Sequence, residues 1–143
     1  MALDLTAPDA YADYLRVKVV EAGPERAVVE QPADPEVDNH VKVRHASALW
    51  TAAHEAARRL VLAALGDRAA TVDLDVADSE IAYKQVGLGM LTSTAEPAGS
   101  GWDSLAADLD AGREAHLETA VVTADPGGKV VVTLDLRWSV KPA

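Results

Sequence analysis

His45-ASALWTAAHEAARRLVLAAL-Gly66 is the stretch on which the fold turns. Leu49, Ala52, Ala53, Ala56, Leu60 and Ala64 recur at helical spacing, while Glu55, Arg58, Arg59 and Asp67 fall largely off that stripe. The spacing predicts one helix from His45 to about Leu65, the longest in the chain, stopped by Gly66. Most of the stripe is alanine, so the helix can lie very close to whatever it packs on.

On either side of this helix the period changes. Pro8 to Leu15 has the pattern of a short helix with Ala12 and Leu15 inward. RVKVVEAGPERAVVEQP alternates about a Gly23-Pro24 turn and predicts a hairpin. PADPEVDNHVKVR, broken by Pro32 and Pro35, is a loop. After the helix, ATVDLDVADSEIAYKQV alternates through Val72, Leu74 and Val76, then changes phase near Asp78-Ser79, which suggests a bulge. GLGMLTSTAEPAG is a further strand after a Gly87–Gly89 turn. GWDSLAADLDAGRE is a short helical insertion that Gly112 could end. The last hairpin turns at Asp125-Pro126-Gly127-Gly128. Its second arm predicts Val130, Val132, Leu134, Leu136, Trp138 and Val140 on one face, and Val131, Thr133, Asp135, Arg137, Ser139 and Lys141 on the other. Antiparallel strands buried on one face, with one long helix against them, make an α+β layer arrangement. With 143 residues, no repeat and no linker, residues 1–143 are expected to form a single domain.

The chain has no cysteine, which excludes disulfides, thiolate nucleophiles and Cys-ligated metals and fits a reducing cytoplasm. The opening MALDLTAPDAYADYL has neither a basic n-region nor an apolar core, so no secretory leader is expected. No apolar run is long enough for a bilayer. With 23 acids against 13 bases the net charge is −10, which repels phosphate backbones and argues against nucleic acid as a partner. Lys42, Arg44, Arg58, Arg59 and Lys84 nevertheless lie near the central helix or the strand after it, where a local basic pocket could hold a small anion.

Familiar catalytic motifs are missing: no GxSxG, P-loop, GxGxxG or HExxH occurs. His45 and His54 are nine residues apart, about half a turn around a helix, so they cannot share a metal within it. A zinc site would need His40 or His116 brought in by the fold, and no metal is expected. The helix start has more to offer. Its first amides, at His45, Ala46 and Ser47, point outward at the positive end of the macrodipole and can polarise a carbonyl. Asn39 and His45 are polar groups at the same mouth, and His54 can act as a base near neutral pH.

These residues carry a resemblance. The order of elements resembles the hotdog fold, a curved antiparallel sheet wrapped around one long central helix, here with a short helical insertion. NHVKVRHASALWTAAHE is similar to the signature of hotdog acyl-CoA thioesterases of the phenylacetate-pathway type. That signature has an Asn, a His after five further residues, two Gly, and an acid nine residues past the His. Asn39 and His45 keep its spacing, Ala46 and Ser47 replace the glycines, and His54 stands at the acid position with Glu55 next to it. EIAYKQVGLGMLTSTAE is similar to the family's following strand pair. VVVTLDLRWSVKP and the WDSLAADLDAGRE insertion resemble an uncharacterised, largely actinobacterial branch of the superfamily.

The resemblance implies a cytoplasmic homodimer, or a dimer of dimers, with sites at the subunit interface and a pantetheine thioester, such as an acyl-CoA, as substrate. It implies no separate cofactor. Asn39, His45 and the Ala46 and Ser47 amides would keep the family's roles, and basic residues such as Lys84 and Arg58, with Tyr83, would line the CoA groove. The general base is open: His54 in place of the carboxylate, or Glu55 after a change of direction. Against these stand plainer readings. His54 could lie on a polar or interface face, Glu55 could pair with Arg59 at i,i+4, and Ser47 could cap the helix. Trp50, Trp102 and Trp138 read as core or interface, His116 as surface, and His40 has no assigned role. Two further functions remain compatible with the pattern: a hotdog dehydratase, isomerase or cyclase, and an acyl- or CoA-binding protein without catalysis.

Overall fold

The structure is a computed structural model that describes residues 9–143; the sequence readings on residues 1–8, including the leader region and Pro8, lie outside it. The first element, α1 (Ala10–Tyr14), starts where Asp9 Oδ1 accepts from the Tyr11 and Ala12 amides at 2.9 and 3.1 Å. It buries Ala12, and Leu15 just after it, as their spacing predicts. β1 (Lys18–Ala22) and β2 (Ala27–Gln31) form the first hairpin. The predicted loop contains one 3-10 turn, Pro35–Val37, that buries Val37.

The central helix, α2, runs Ala46–Leu65 and ends at Gly66, which has φ +56°. β3 (Val72–Tyr83), β4 (Leu91–Ala98), α3 (Leu105–Asp110), β5 (Ala115–Ala124) and β6 (Val130–Pro142) follow. The six strands make one antiparallel sheet in the order β1-β2-β4-β5-β6-β3. α2 lies chiefly against β1, β2, β4, β5 and β6. This is the hotdog fold.

The core is the seam between α2 and the sheet. Ala53, Ala56, Ala57, Leu60 and Val61 pack on Val29, Ala95, Leu117, Val121, Leu134 and Trp138. A fully buried Leu or Val side chain contributes about 1.5–3 kcal/mol. The alanines add little area but bring the helix axis close to the sheet. Trp138 is closed off by a hydrogen bond from its Nε1 to Thr119 Oγ1 at 3.0 Å. The α3 insertion is fastened by Trp102, whose Nε1 donates to the carbonyls of Ala98 and Glu118 at 3.1 and 3.0 Å.

Three strand readings meet bulges, the first in β1 between Val19 and Glu21. The phase change in β3 falls between Val76 and Asp78, beside the expected position. In β6 the register slips between Thr123 and Ala124 of the partner strand, so Thr123 faces Val132 while Ala124 faces Val130. Val131 is the extra residue. It is fully buried and Val130 is 39% exposed, which reverses the faces expected for these two valines. The Val131 carbonyl turns to accept the Lys84 amide at 2.8 Å. β3 is the last strand of the sheet and exposes most of its side chains.

Candidate functional site

His45 is the N-cap of α2. Its backbone is extended, and its Nδ1 accepts the Ser47 amide at 3.1 Å. This corrects the reading of Ser47 as the cap: Ser47 is already in the first turn, and the imidazole one position before the helix reaches its N–H. The expectation of three outward amides is corrected as well. The Ser47 amide is held by His45, and the His45 amide donates to the Val37 carbonyl at 3.0 Å. The Ala46 amide has no hydrogen-bond partner among the described residues.

Two cavities open beside this turn. The first, of about 320 Å³, is lined by Asn39, Ala46, Leu49, Tyr83, Lys84 and Gln85, among others. Tyr83 Oη donates to the Ala46 carbonyl at 3.5 Å. Asn39 is turned back on its own loop: its Oδ1 accepts from the Val41 and Val43 amides at 3.0 and 3.3 Å. Its side-chain NH2 makes no hydrogen bond to a described residue. The second cavity, of about 210 Å³, is lined by Tyr11, Tyr14, Glu36, Asp38, His45 and Ser47, with others. Here Ser47 Oγ lies 2.8 Å from His45 Nδ1 and 3.4 Å from Tyr11 Oη. The structure therefore brings Asn39, Ala46, Tyr83 and Lys84 together, and places His45 and Ser47 in the neighbouring cavity.

His54, Glu55 and Arg58 lie elsewhere. Nine residues at 1.5 Å each set His54 about 13 Å along the axis from His45. Its ring stacks between Trp50, at 4.7 Å between centroids, and Trp138, at 5.4 Å. Burial lowers its pKa and the nearby Arg58 adds to this, while Asp9 opposes both. Glu55, expected off the apolar stripe, is only 2% exposed. Two arginines allow its burial: Arg59 Nε at 2.8 Å and Arg58 Nη1 at 3.3 Å. The Arg59 contact is the expected i,i+4 pair, but a sequestered one. Arg58, expected at a CoA groove, lies against Glu55 and lines neither cavity. Asp9, His54 and Glu55 present ligand-type atoms within 4.8 Å of one another, but Glu55 already faces two guanidinium groups and Asp9 caps α1. His116 is exposed near Glu114, and His40 is exposed in its loop.

The sequence reading missed Gln31 and Tyr11 at the helix start, and it expected Arg44 at a basic pocket for a small anion, where the structure buries it. Arg44 is buried and donates from Nη1 to Gln31 Oε1 and from Nη2 to the Gly89 carbonyl, both at 2.6 Å. Gln31 was findable, because the alternation Ala27, Val29, Gln31 puts a polar residue on a core face. Tyr11 carried no such signal, since its contact with Ser47 depends on how α1 packs.

A model of a domain of unknown function, DUF4442, matches residues 3–140. No curated protein matches the sequence. Among solved structures, the chain is similar to a Pseudomonas aeruginosa protein of unknown function given as a probable thioesterase, with TM-score 0.80 at 16% identity, covering 94% of this chain and 89% of that one. It is similar to a variant of a thioesterase enzyme from Staphylococcus aureus, with TM-score 0.78 at 10% identity, covering 94% and 100%. It is also similar to AziG of S. sahachiroi, with TM-score 0.76 at 18% identity, covering 94% and 98%. At these identities the likeness is one of fold.

Proposed function

The chain belongs to the DUF4442 family, a domain of unknown function, and from that starting point we propose that it hydrolyses an acyl-CoA or a related pantetheine thioester. The observation that carries this reading is the Ala46 amide, without a hydrogen-bond partner among the described residues, at the start of the central helix beside a cleft lined by Asn39, Tyr83 and Lys84. A carbonyl placed there meets a free N–H and the positive end of the helix. The Asn39 side-chain amide is a second donor at the mouth, and the Lys84 ammonium suits a CoA phosphate. Two of the similar structures are of proteins given as thioesterases, which agrees with this chemistry.

The working unit in this reading is a cytoplasmic homodimer or dimer of dimers. The long outer edge of β3 supports it, because an unpaired strand edge is a template for pairing with a second copy. His54 sits too far along α2 to serve its own helix start, so its imidazole would meet the partner's substrate. Its lowered pKa keeps it neutral and able to accept a proton.

The test is release of free thiol from a panel of acyl-CoA esters of differing chain length. Hydrolysis of at least one is expected, and no release from any of them rejects the reading. One observation favours a second reading, an acyl-binding protein without turnover: Glu55, the acid nearest the family position, is tied to two arginines. Calorimetric binding of CoA or an acyl-CoA with no thiol release would select that alternative.

A further inference from the structure

We propose that Ser47 and His45 form a nucleophile–base pair, and that the thioester is cleaved through an acyl-serine on Ser47. This rests on the thioester reading for the substrate alone: the carbonyl is taken up in the second cavity instead of beside the Ala46 amide, and the base is His45 of the same chain instead of a partner's His54. The hydroxyl lies 2.8 Å from His45 Nδ1, within reach for direct proton transfer.

The direction of that hydrogen bond follows from a second contact. His45 Nδ1 already accepts the Ser47 backbone N–H, so in the neutral imidazole the ring proton is on Nε2. Nδ1 has only a lone pair to offer, and Ser47 Oγ–H must be the donor. The serine oxygen then keeps its own lone pairs free for attack. Both side chains are exposed to a cavity of about 210 Å³ with an aromatic and apolar wall from Tyr11, Tyr14 and Leu15. Tyr11 Oη, 3.4 Å from Ser47 Oγ, is placed to donate to the oxyanion of a carbonyl bonded to that oxygen. Glu36 and Asp38 line the same cavity.

In the first step Ser47 Oγ bonds to the thioester carbon while its proton passes to His45 Nδ1. The C–S bond then breaks and the thiolate leaves with that proton. In the second step water attacks the acyl-serine carbon and gives a proton to His45 Nδ1. The C–Oγ bond breaks, the carboxylic acid departs, and Ser47 recovers its proton.

The test uses the whole protein and a fluorophosphonate probe, which reacts with an activated serine and needs no thioester. One adduct is expected, mapped to Ser47 by mass spectrometry and absent from Ser47→Ala. Labelling should slow on the order of 100-fold in His45→Asn, which removes the base yet keeps a side chain that can cap the helix. No adduct, an adduct on another residue, or His45→Asn labelling at the wild-type rate overturns the proposal. Thiol release undiminished in Ser47→Ala also overturns it and leaves the thioester reading standing. Labelling at Ser47 without turnover of any thioester supports the pair and rejects that reading instead.

Discussion

Gln31 and Arg44 meet side chain to side chain inside the protein, with Arg44 Nη1 donating to Gln31 Oε1 at 2.6 Å. Gln31 Nε2 continues the chain to the Ala48 carbonyl at 3.3 Å, and Arg44 Nη2 continues it to the Gly89 carbonyl at 2.6 Å. The first turn of α2, strand β2 and the loop before β4 are thereby joined by polar contacts, buried at Gln31 and part-buried at Gly89. Burial lowers the Arg44 pKa and Asp38, with its Oδ1 3.6 Å from Nε, opposes the shift. Gln31→Leu removes one acceptor from a buried guanidinium and should cost about 1–3 kcal/mol in urea unfolding. Arg44→Met should cost a similar amount, and the double variant less than the sum of the two singles. Strict additivity would show that the two side chains are not coupled.

Gly87 sits where this network meets the first cavity. A Cβ there would lie 2.9 Å from Leu91 Cδ1, 3.1 Å from Arg44 Cβ and 3.2 Å from Leu49 Cδ2. Gly87→Ala should therefore destabilise by about 1–3 kcal/mol through overpacking. Because its carbonyl also accepts the Arg44 amide at 3.0 Å, the cavity wall should shift with it. Thermal unfolding measures the first effect. A crystal structure of the variant with an unmoved 83–88 segment would contradict the second.

For His54 the linkage has a definite sign. Its folded pKa lies below the ordinary 6.5, chiefly through burial, so the unfolded chain takes up the proton first as pH falls. Stability from this residue is complete above about pH 6.5 and is lost as the pH drops through the folded value. His54→Gln should flatten that part of the profile. Denaturant titrations at about pH 7.5 and pH 5.5 decide it, and parallel losses in wild type and variant would count against the assignment.

Glu55 is predicted to matter for stability more than for turnover. Glu55→Gln leaves Arg59 without its 2.8 Å carboxylate partner in a poorly solvated setting. A loss of about 3–5 kcal/mol is the usual scale when one member of a buried pair is removed. If the protein hydrolyses thioesters, kcat of the folded fraction should fall by less than about 10-fold, short of the loss typical of a general base. A kcat loss of 100-fold or more at unchanged melting temperature would instead make Glu55 the base.

The helix and its end were legible because small apolar residues at helical spacing and a glycine stop are local signals. The β3 bulge was legible for the same reason, as a break in alternation within one strand. The faces of Val130 and Val131 were not, because the slip that exchanges them is a property of two strands in register. Burial of Glu55 could not be read either: charge predicts exposure unless two arginines converge on it, and the helix's apolar stripe gave no sign that they would. At the site, Asn39, Ala46, Tyr83 and Lys84 line one cavity. The separation of His45 and Ser47 from them depends on where α1 and the 83–88 segment pack, which is tertiary information. His45 as a cap was overlooked because imidazole is not among the usual capping side chains.

The alanine face of α2 has a consequence for how this protein can change over generations. Ala53, Ala56 and Ala57 have no exposed surface, so a larger residue at any of them must push the helix off the sheet. The helix thus works as a fixed rail along which little variation is tolerated. Adaptation to a new ligand is channelled into the 37–44 and 83–88 segments and into α1, which with the first turn of the helix form the walls of the two cavities. Descendants of this chain should differ in what they accept long before they differ in how the helix is seated.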